Sequence, residues 1–303
     1  MSITKLINSW LSHFDVAVSR RSNLDHLVSE LGKLQAQPEA PQKIEAIRID
    51  LLRHQIAMKW NLMDYFDRQQ STSERMRRCP LCDYAGAQEE FLTYATQCIF
   101  EGGVLKRHQC PACDVIFGAD KMLRLSDAEL TQDYVWHYRA YSEGDSTELE
   151  LRAFHALNPS KEGVYLNYGA GSWSKTILIL RDEGWNVYAY EPHSASADSE
   201  AHIITDRKAL SAMRFDGLFS NNVLEHLRYP VDELIFMRSL LKPAALMSHA
   251  TPCFEYLYEY TRFHLFFFLG RSRNMLAQKA GLSIDNFYVE GEFMNCIYKP
   301  VEP

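Results

Sequence analysis

Along the first seventy-five residues, apolar side chains recur at helical spacing. Ile3, Leu6, Ile7, Trp10, Phe14 and Val18 open a stripe that Leu24, Leu27, Leu31 and Leu34 continue. The stretch "QAQPEAPQ" (35–42) carries two prolines and no large apolar residue, so the chain should turn there. Ile44, Ile47, Leu51, Met58, Leu62 and Phe66 then mark one side of a second helix. Two amphipathic helices joined by a short proline loop predict an antiparallel helical hairpin over 1–75. A stripe does not say what covers it. The hairpin is expected either to pack on the rest of the chain or to serve as a homodimer or protein-partner surface.

The pattern changes from Val164 onward. Apolar strand-like runs ("GVYLNYG", "WNVYAYEP", "AHIITD", "FDGLFSN", "AALMSHATP") alternate with helical ones ("SKTILILRDEG", "PVDELIFMRSLL", "RNMLAQKAG"). Such alternation predicts βαβ units and a parallel sheet covered on both faces. The last two strands, "NFYVEG" and "FMNCIYKP", are separated only by a turn around Gly291 and should pair antiparallel. Between the hairpin and this region lie a cysteine-bearing stretch (76–120) and a helical linker (121–160). The α/β unit spans 161–303.

Composition narrows the function classes. The 303 residues are 47% hydrophobic and 23% charged, which fits a packed globular core. A net charge of −7 argues against a general nucleic-acid binder. The start of the chain is interrupted by Lys5, Asn8, His13 and Asp15, so it lacks a signal peptide's continuous apolar core. The run Leu265–Leu269 is too short to cross a bilayer. Seven cysteines, four of them in two Cys-x-x-Cys pairs, suit metal binding in a reducing compartment. A cytoplasmic location is expected.

Those pairs are Cys79 with Cys82 ("CPLC") and Cys110 with Cys113 ("CPAC"). Each places two thiolates on one tight turn, and together they supply a tetrahedral site for a structural zinc. The aromatic and β-branched residues between them suit the strands of a zinc ribbon. Cys98, Cys253 and Cys296 are expected as buried small hydrophobes.

In "VYLNYGAGSWSKTIL" (164–178), Gly169 and Gly171 sit between a strand and a helix, where backbone N–H groups can face a ligand. The third glycine of a dinucleotide-binding G-x-G-x-x-G is replaced by Ser174, which counts against NAD. Glu191, at the end of the next strand, is placed to accept hydrogen bonds from both hydroxyls of a ribose. The loop therefore speaks for an adenosine-containing ligand without choosing between NAD and S-adenosylmethionine.

The segment "FDGLFSNNVLEHLRYPVDELIFMRSLLKPAALM" (215–247) resembles the fourth-strand region of class I S-adenosylmethionine-dependent methyltransferases, through Val223-Leu224-Glu225-His226-Leu227. "TRFHLFFFLGRSRNMLAQKAGL" is similar to the ending of many members that carry an N-terminal zinc module. The likeness spans 79 to about 300. It implies a Rossmann-like, seven-stranded, mostly parallel sheet with an antiparallel terminal hairpin, preceded by the zinc ribbon and the helical hairpin. By position it implies that Asn167, Tyr168, Gly169, Ala170 and Gly171 line the methionine end of S-adenosylmethionine. Glu191 would bind the ribose, Asp206 would lie near the adenine, and Asn221 and Asn222 would floor the site. Two positions depart from the family: Asn167 stands where Asp or Glu is usual, and Trp173 where Gly is frequent. Asn167 can accept a hydrogen bond from the methionine amine but lacks the charge that strengthens it.

Methyl transfer needs an aligned nucleophile, and a base when that nucleophile is an alcohol. His226 is the first candidate, at the carboxyl-end rim of the fourth strand, with Glu225 to orient it or to bind the cofactor. His249, at the end of the fifth strand, and His264, in the aromatic run "FEYLYEYTRFHLFFF", follow. Tyr134, Trp136, His137, Tyr138, Arg139 and Tyr141 suit sugar or phosphate contacts, or packing on the sheet. The expected function is methylation of a hydroxyl or carbon of a sugar, polysaccharide or small metabolite. RNA methylation and a non-catalytic zinc-binding scaffold are the alternatives.

Overall fold

The computed structural model describes residues 25–30, 32–33, 41–70, 76–142, 144–171, 175–192, 202–255 and 260–301. The first stripe from Ile3 to Leu24, its later members Leu31 and Leu34, and Trp173 lie outside them. Helix α1 (Pro41–Gln70) begins on the second proline of the turn signal, where proline's missing N–H costs nothing. It packs on the body of the protein through Ile56, Ala57 and Trp60, all buried, while Met58, Leu62 and Phe66 are exposed. This corrects the face expected from the apolar stripe. Polar anchors set it instead: Trp60 Nε1 donates to Asp133 (3.2 Å), and Asp64 receives Lys121 Nζ (2.5 Å) and the Val104 N–H (2.7 Å).

The cysteine module consists of a two-stranded ribbon, β1 (Met76–Arg78) and β2 (Ala85–Ala87), and a second sheet of β3 (Leu92–Gln97), β4 (Val104–Gln109) and β5 (Ile116–Gly118). After β5 come α2 (Asp120–Leu123), α3 (Asp127–Ala140), capped by Ser126, and α4 (Thr147–His155).

The large sheet contains β6 (Val164–Tyr168), β7 (Asn186–Tyr190), β8 (Ile203–Ile204), β9 (Phe215–Asn221) and β10 (Leu241–Ala250), all parallel, then the hairpin β12 (Leu282–Glu290) and β13 (Phe293–Pro300). Its order is β12-β13-β10-β9-β6-β7-β8, with β13 antiparallel to both neighbours. The intervening strand β11 (Phe266–Phe267) leaves this sheet and pairs antiparallel with β5, as the fourth strand of the cysteine module's sheet. Central strands buried on both faces read as near-continuous apolar runs. On one face Phe154 of α4 packs with Tyr165, Trp185 and Phe219, and α5 (Thr176–Asp182) covers β7. On the other, α7 (Pro230–Ser239) and α8 (Ser272–Lys279) enclose Leu218, Leu234, Met247 and Leu276. A short α6 (Arg207–Ser211) precedes β9. Strand order reverses between β6 and β9, and that switch point opens a crevice at their carboxyl ends.

Candidate active site

A cleft of about 1040 Å³ occupies the switch point. Its back is the loop after β6. Gly169 has φ +73°, and a Cβ there would lie 2.7 Å from Val223 Cγ2, so both conformation and space require glycine. The Gly169 N–H donates to the Tyr190 carbonyl (2.8 Å), holding the loop against β7. Gly171, also at positive φ, has open space where a Cβ would go. Its N–H donates to Glu191 Oε2 (3.0 Å), which sets that carboxylate at the loop's far end. An open glycine with an acidic residue beside it is a cradle that fits an adenosyl ligand.

Tyr168, Gly169, Ala170, Gly171, Glu191, Asn221 and Asn222 all line this cleft, as do His226 and His264. Asn167, Asp206 and His249 do not. Asn167 is buried behind the loop, its Nδ2 donating to Glu150 Oε2 (2.7 Å). Asp206 is the N-cap of α6, accepting the N–H groups of Lys208 and Ala209 at 3.1 Å each. His249 is enclosed within the sheet packing, its Nδ1 2.7 Å from Ser220 Oγ, and burial pushes its pKa down to about 3.

Elsewhere in the cleft, the rings of His226 and His264 meet edge to face with centroids 5.0 Å apart. Tyr134 Oη lies 3.1 Å from His226 Nδ1, and the Tyr134 ring stacks on Phe263 at 4.4 Å. His226 is half-buried, and desolvation lowers its pKa to about 4. It is therefore a neutral ring at neutral pH. Glu225 lies behind, fully buried in a single helical turn (Leu224–His226). Its Oε1 accepts from Thr251 Oγ1 (2.7 Å), and Oε2 has no partner among the described residues. Burial raises this carboxyl to about 7. A carboxylate oxygen of Glu225, Cys253 Sγ and a His264 ring nitrogen lie within 4.8 Å of one another. Glu225 thus faces His264 rather than solvent.

The four module cysteines converge away from the cleft. Cys79 and Cys113 sulfurs are 3.7 Å apart, and Cys82 and Cys110 sulfurs 3.6 Å. With metal–sulfur bonds of 2.3 Å, a tetrahedral zinc needs edges of about 3.8 Å. Both turns repeat one conformation: the Cys79 and Cys110 N–H groups reach back to Tyr84 and Val115 carbonyls, and Asp83 and Asp114 adopt positive φ. The Leu81 and Cys82 N–H groups point at Cys79 Sγ, which favours a thiolate there. The donor set fits zinc.

Fold and cleft agree with a comparison of sequence. A family model described as a methyltransferase domain matches residues 135–286. The chain belongs to the methyltransferase-domain family. It is a class I S-adenosylmethionine-dependent methyltransferase, with the glycine loop, the switch-point cleft and the antiparallel last strand in place. Among solved structures, this methyltransferase is similar to the 1,6-didemethyltoxoflavin-N1-methyltransferase of Burkholderia thailandensis, solved with 1,6-didemethyltoxoflavin and S-adenosylhomocysteine bound. The two are 16% identical over 65% of this chain and 96% of that one, with a TM-score of 0.47. It is also similar to the CcbJ methyltransferase of Streptomyces caelestis, at 12% identity over 55% of this chain and 95% of that one, with a TM-score of 0.41. No curated protein matches the chain.

Three cleft residues of this methyltransferase, Glu150, Arg207 and Glu233, escaped the sequence reading. Glu150 lies in a segment read only as linker. Arg207 and Glu233 form a bidentate pair (2.6 and 2.9 Å) beside Tyr168, whose hydroxyl also donates to Glu233. None has a local motif, since each depends on helices meeting across the sheet edge.

Proposed function

We propose that this methyltransferase acts on a hydroxyl of an uncharged small molecule, a saccharide or similar metabolite, with His226 as the base. The observation that carries the reading is the neutral His226 ring at the cleft, bonded through Nδ1 to Tyr134 and facing His264. With Tyr134 oxygen accepting the Nδ1 proton, the Nε2 lone pair is left to take the acceptor's proton. S-adenosylmethionine supplies the electrophilic methyl group; the protein's part is to align the acceptor and remove its proton. Glu191 would hold the ribose hydroxyls, and Asn221 and Asn222 the floor. Glu225, with a carboxylate oxygen within 4.8 Å of a His264 ring nitrogen, would orient that ring toward the acceptor.

The lining supports an uncharged acceptor. Its two described guanidinium groups are already engaged: Arg207 by Glu233, and Arg228 by Asp127 and the Leu125 carbonyl. Asp127, Asp145, Glu150, Glu191 and Glu233 make the lining acidic, which repels a polyanion such as RNA. Tyr138, Tyr229 and Tyr260 are exposed at its edge and offer ring faces to a sugar. A structural zinc on Cys79, Cys82, Cys110 and Cys113 completes the reading. Transfer of label from methyl-tritiated S-adenosylmethionine to a panel of saccharides and hydroxylated metabolites, with transfer and ribosomal RNA alongside, tests it. Labelling of RNA alone would overturn it.

A further inference from the structure

Residues that face a cleft can be set by a contact that never reaches it. Asp133 and Arg262 are both fully buried, and Arg262 Nε donates to Asp133 Oδ2 at 2.6 Å. Neither lines the cleft, yet each immediately precedes a residue that does: Tyr134 follows Asp133 on α3, and Phe263 follows Arg262. Those two neighbours repeat the pairing, because the Tyr134 and Phe263 rings stack with centroids 4.4 Å apart and planes inclined by 23°. Two adjacent links between the same two stretches fix both their distance and their relative rotation.

Other elements hold the pair in turn. Asp133 Oδ1 accepts from Lys59 Nζ (3.0 Å) and Trp60 Nε1 (3.2 Å) of α1. Arg262 Nη1 donates to the Phe100 carbonyl (2.8 Å), in the loop between β3 and β4, and its guanidinium lies 4.3 Å from the Phe263 ring centroid. The carboxylate is thus the point where α1, α3 and the segment leading to His264 meet. A buried ion pair gains little net stability over an apolar pair of similar shape, because each charge gives up its hydration. What it supplies is direction, since a planar guanidinium bonded through two of its nitrogens accepts one alignment. Direction matters at this place, because the Tyr134 oxygen must stay on His226 Nδ1 (3.1 Å) if Nε2 is to be left unprotonated.

We propose that Asp133, through its pair with Arg262, is a positioning residue that holds the Tyr134 hydroxyl on His226 Nδ1 and so sets which His226 nitrogen carries the proton. Helix α1, through Lys59 and Trp60, is then part of the apparatus that prepares the base. This rests on the reading of His226 as a base protonated at Nδ1.

Nitrogen-15 spectra of the full chain carrying labelled histidine test the assignment at neutral pH and need no acceptor. The protonated and unprotonated nitrogens of a neutral imidazole resonate far apart, so the two shifts report the tautomer ratio. The His226 signals are those missing from His226→Ala. The wild-type ring should show the Nδ1–H form. In Asp133→Asn the ratio of the Nδ1–H to the Nε2–H form should fall roughly 3- to 10-fold, the worth of one hydrogen bond, as it should in Tyr134→Phe. Asp133→Asn also strands the Arg262 charge and should melt lower. Combining it with Arg262→Met removes both charges, so the melting temperature should return to within about 5 °C of wild type while the tautomer ratio stays low. A wild-type ratio in the double variant would overturn the proposal, because the pair would then serve stability alone. An unchanged ratio in Asp133→Asn would overturn it too. A wild-type ring in the Nε2–H form would instead refute the reading of His226 as the base.

Discussion

Replacing Glu225 with glutamine should make the protein more stable and the enzyme slower. Burial raises this carboxyl from an ordinary value of 4.5 to about 7. Below pH 4.5 it is protonated in both the folded and the unfolded chain and contributes no pH dependence. Between about 4.5 and 7 the folded chain retains a proton that the unfolded chain has released, so its contribution to stability falls as pH rises. Above about pH 7 both states are ionised, and the folded state carries the full burial cost. At 1.36 kcal/mol per pH unit that cost is about 3 kcal/mol. Glutamine cannot ionise, and its carbonyl can still accept from Thr251 Oγ1 in place of Glu225 Oε1. The variant's advantage should be small at pH 5 and approach about 3 kcal/mol at pH 8, a widening in melting temperature of roughly 5 °C for a chain of this length. His137, His249 and the half-buried His226 are shifted by burial and by groups other than Glu225, so they titrate alike in both chains and cancel in the difference. Thermal melts of the two chains from pH 5 to 8 measure it. A gap that stays constant, or narrows with rising pH, would refute the reasoning. Turnover should move the other way, because a buried carboxylate kept against its own cost is kept for function.

Four further outcomes follow from the same geometry. His226→Ala should lower turnover roughly 10²- to 10⁴-fold while calorimetric affinity for S-adenosylhomocysteine is preserved, since the ring serves the acceptor. Glu191→Ala should weaken that affinity by about tenfold or more through loss of the ribose contact, measured by the same titration. Tyr134→Phe should reduce turnover less than loss of His226 does, by roughly tenfold, because it frees the tautomer without removing the base. Stripping metal from the four cysteines with a strong chelator should abolish acceptor methylation and release about one zinc per chain by elemental analysis.

Much of this was legible because the signals were local. Each strand of the large sheet was visible as an apolar run between turn residues, and the glycine loop with Glu191 after the next strand carried its own spacing. The paired Cys-x-x-Cys turns likewise announced themselves, and the structure adds the Asp after each second cysteine at positive φ. What the sequence did not disclose depended on tertiary partners. His249 follows the apolar run of β10 like a rim residue, but strand pairing continues to Ala250 and keeps the ring inside. Asp206 precedes a helical segment, and its capping bonds decide its place before any ligand does. Glu150 meets Asn167 only because α4 lies across the sheet, a relation that spacing along the chain cannot express. The buried face of α1 was misread for a related reason: Trp60 and Asp64 find buried polar partners there, and an apolar stripe does not count such bonds.

The cysteine module is structurally continuous with the machinery that would hold the acceptor, and this would give a zinc on its four cysteines a direct bearing on catalysis. Arg107 of β4 is buried, and its guanidinium donates to the carbonyls of Thr261 (2.5 Å) and His264 (2.9 and 3.1 Å). The Gly118 N–H donates to the Leu265 carbonyl (3.0 Å), and β11 then pairs with β5. Arg271 closes the far end, bonded to Asp114 and the Pro111 carbonyl within the second cysteine turn. From the other side the Leu265 N–H donates to the Glu225 carbonyl (2.7 Å). The backbone of His264 is thus clamped between the module and the turn that carries Glu225 and His226. If the four sulfurs hold the proposed zinc and it is removed, β4 and β5 would lose the turn that joins them, and His264 would lose one jaw of its clamp. The glycine loop and Glu191 are held through the carbonyls of Tyr190 in β7 and Ile204 in β8, outside the module, and would keep their geometry. Chelation should therefore separate the two halves of the reaction, sparing cofactor binding while acceptor turnover is lost; equal loss of both would show that the module stabilises the whole fold instead.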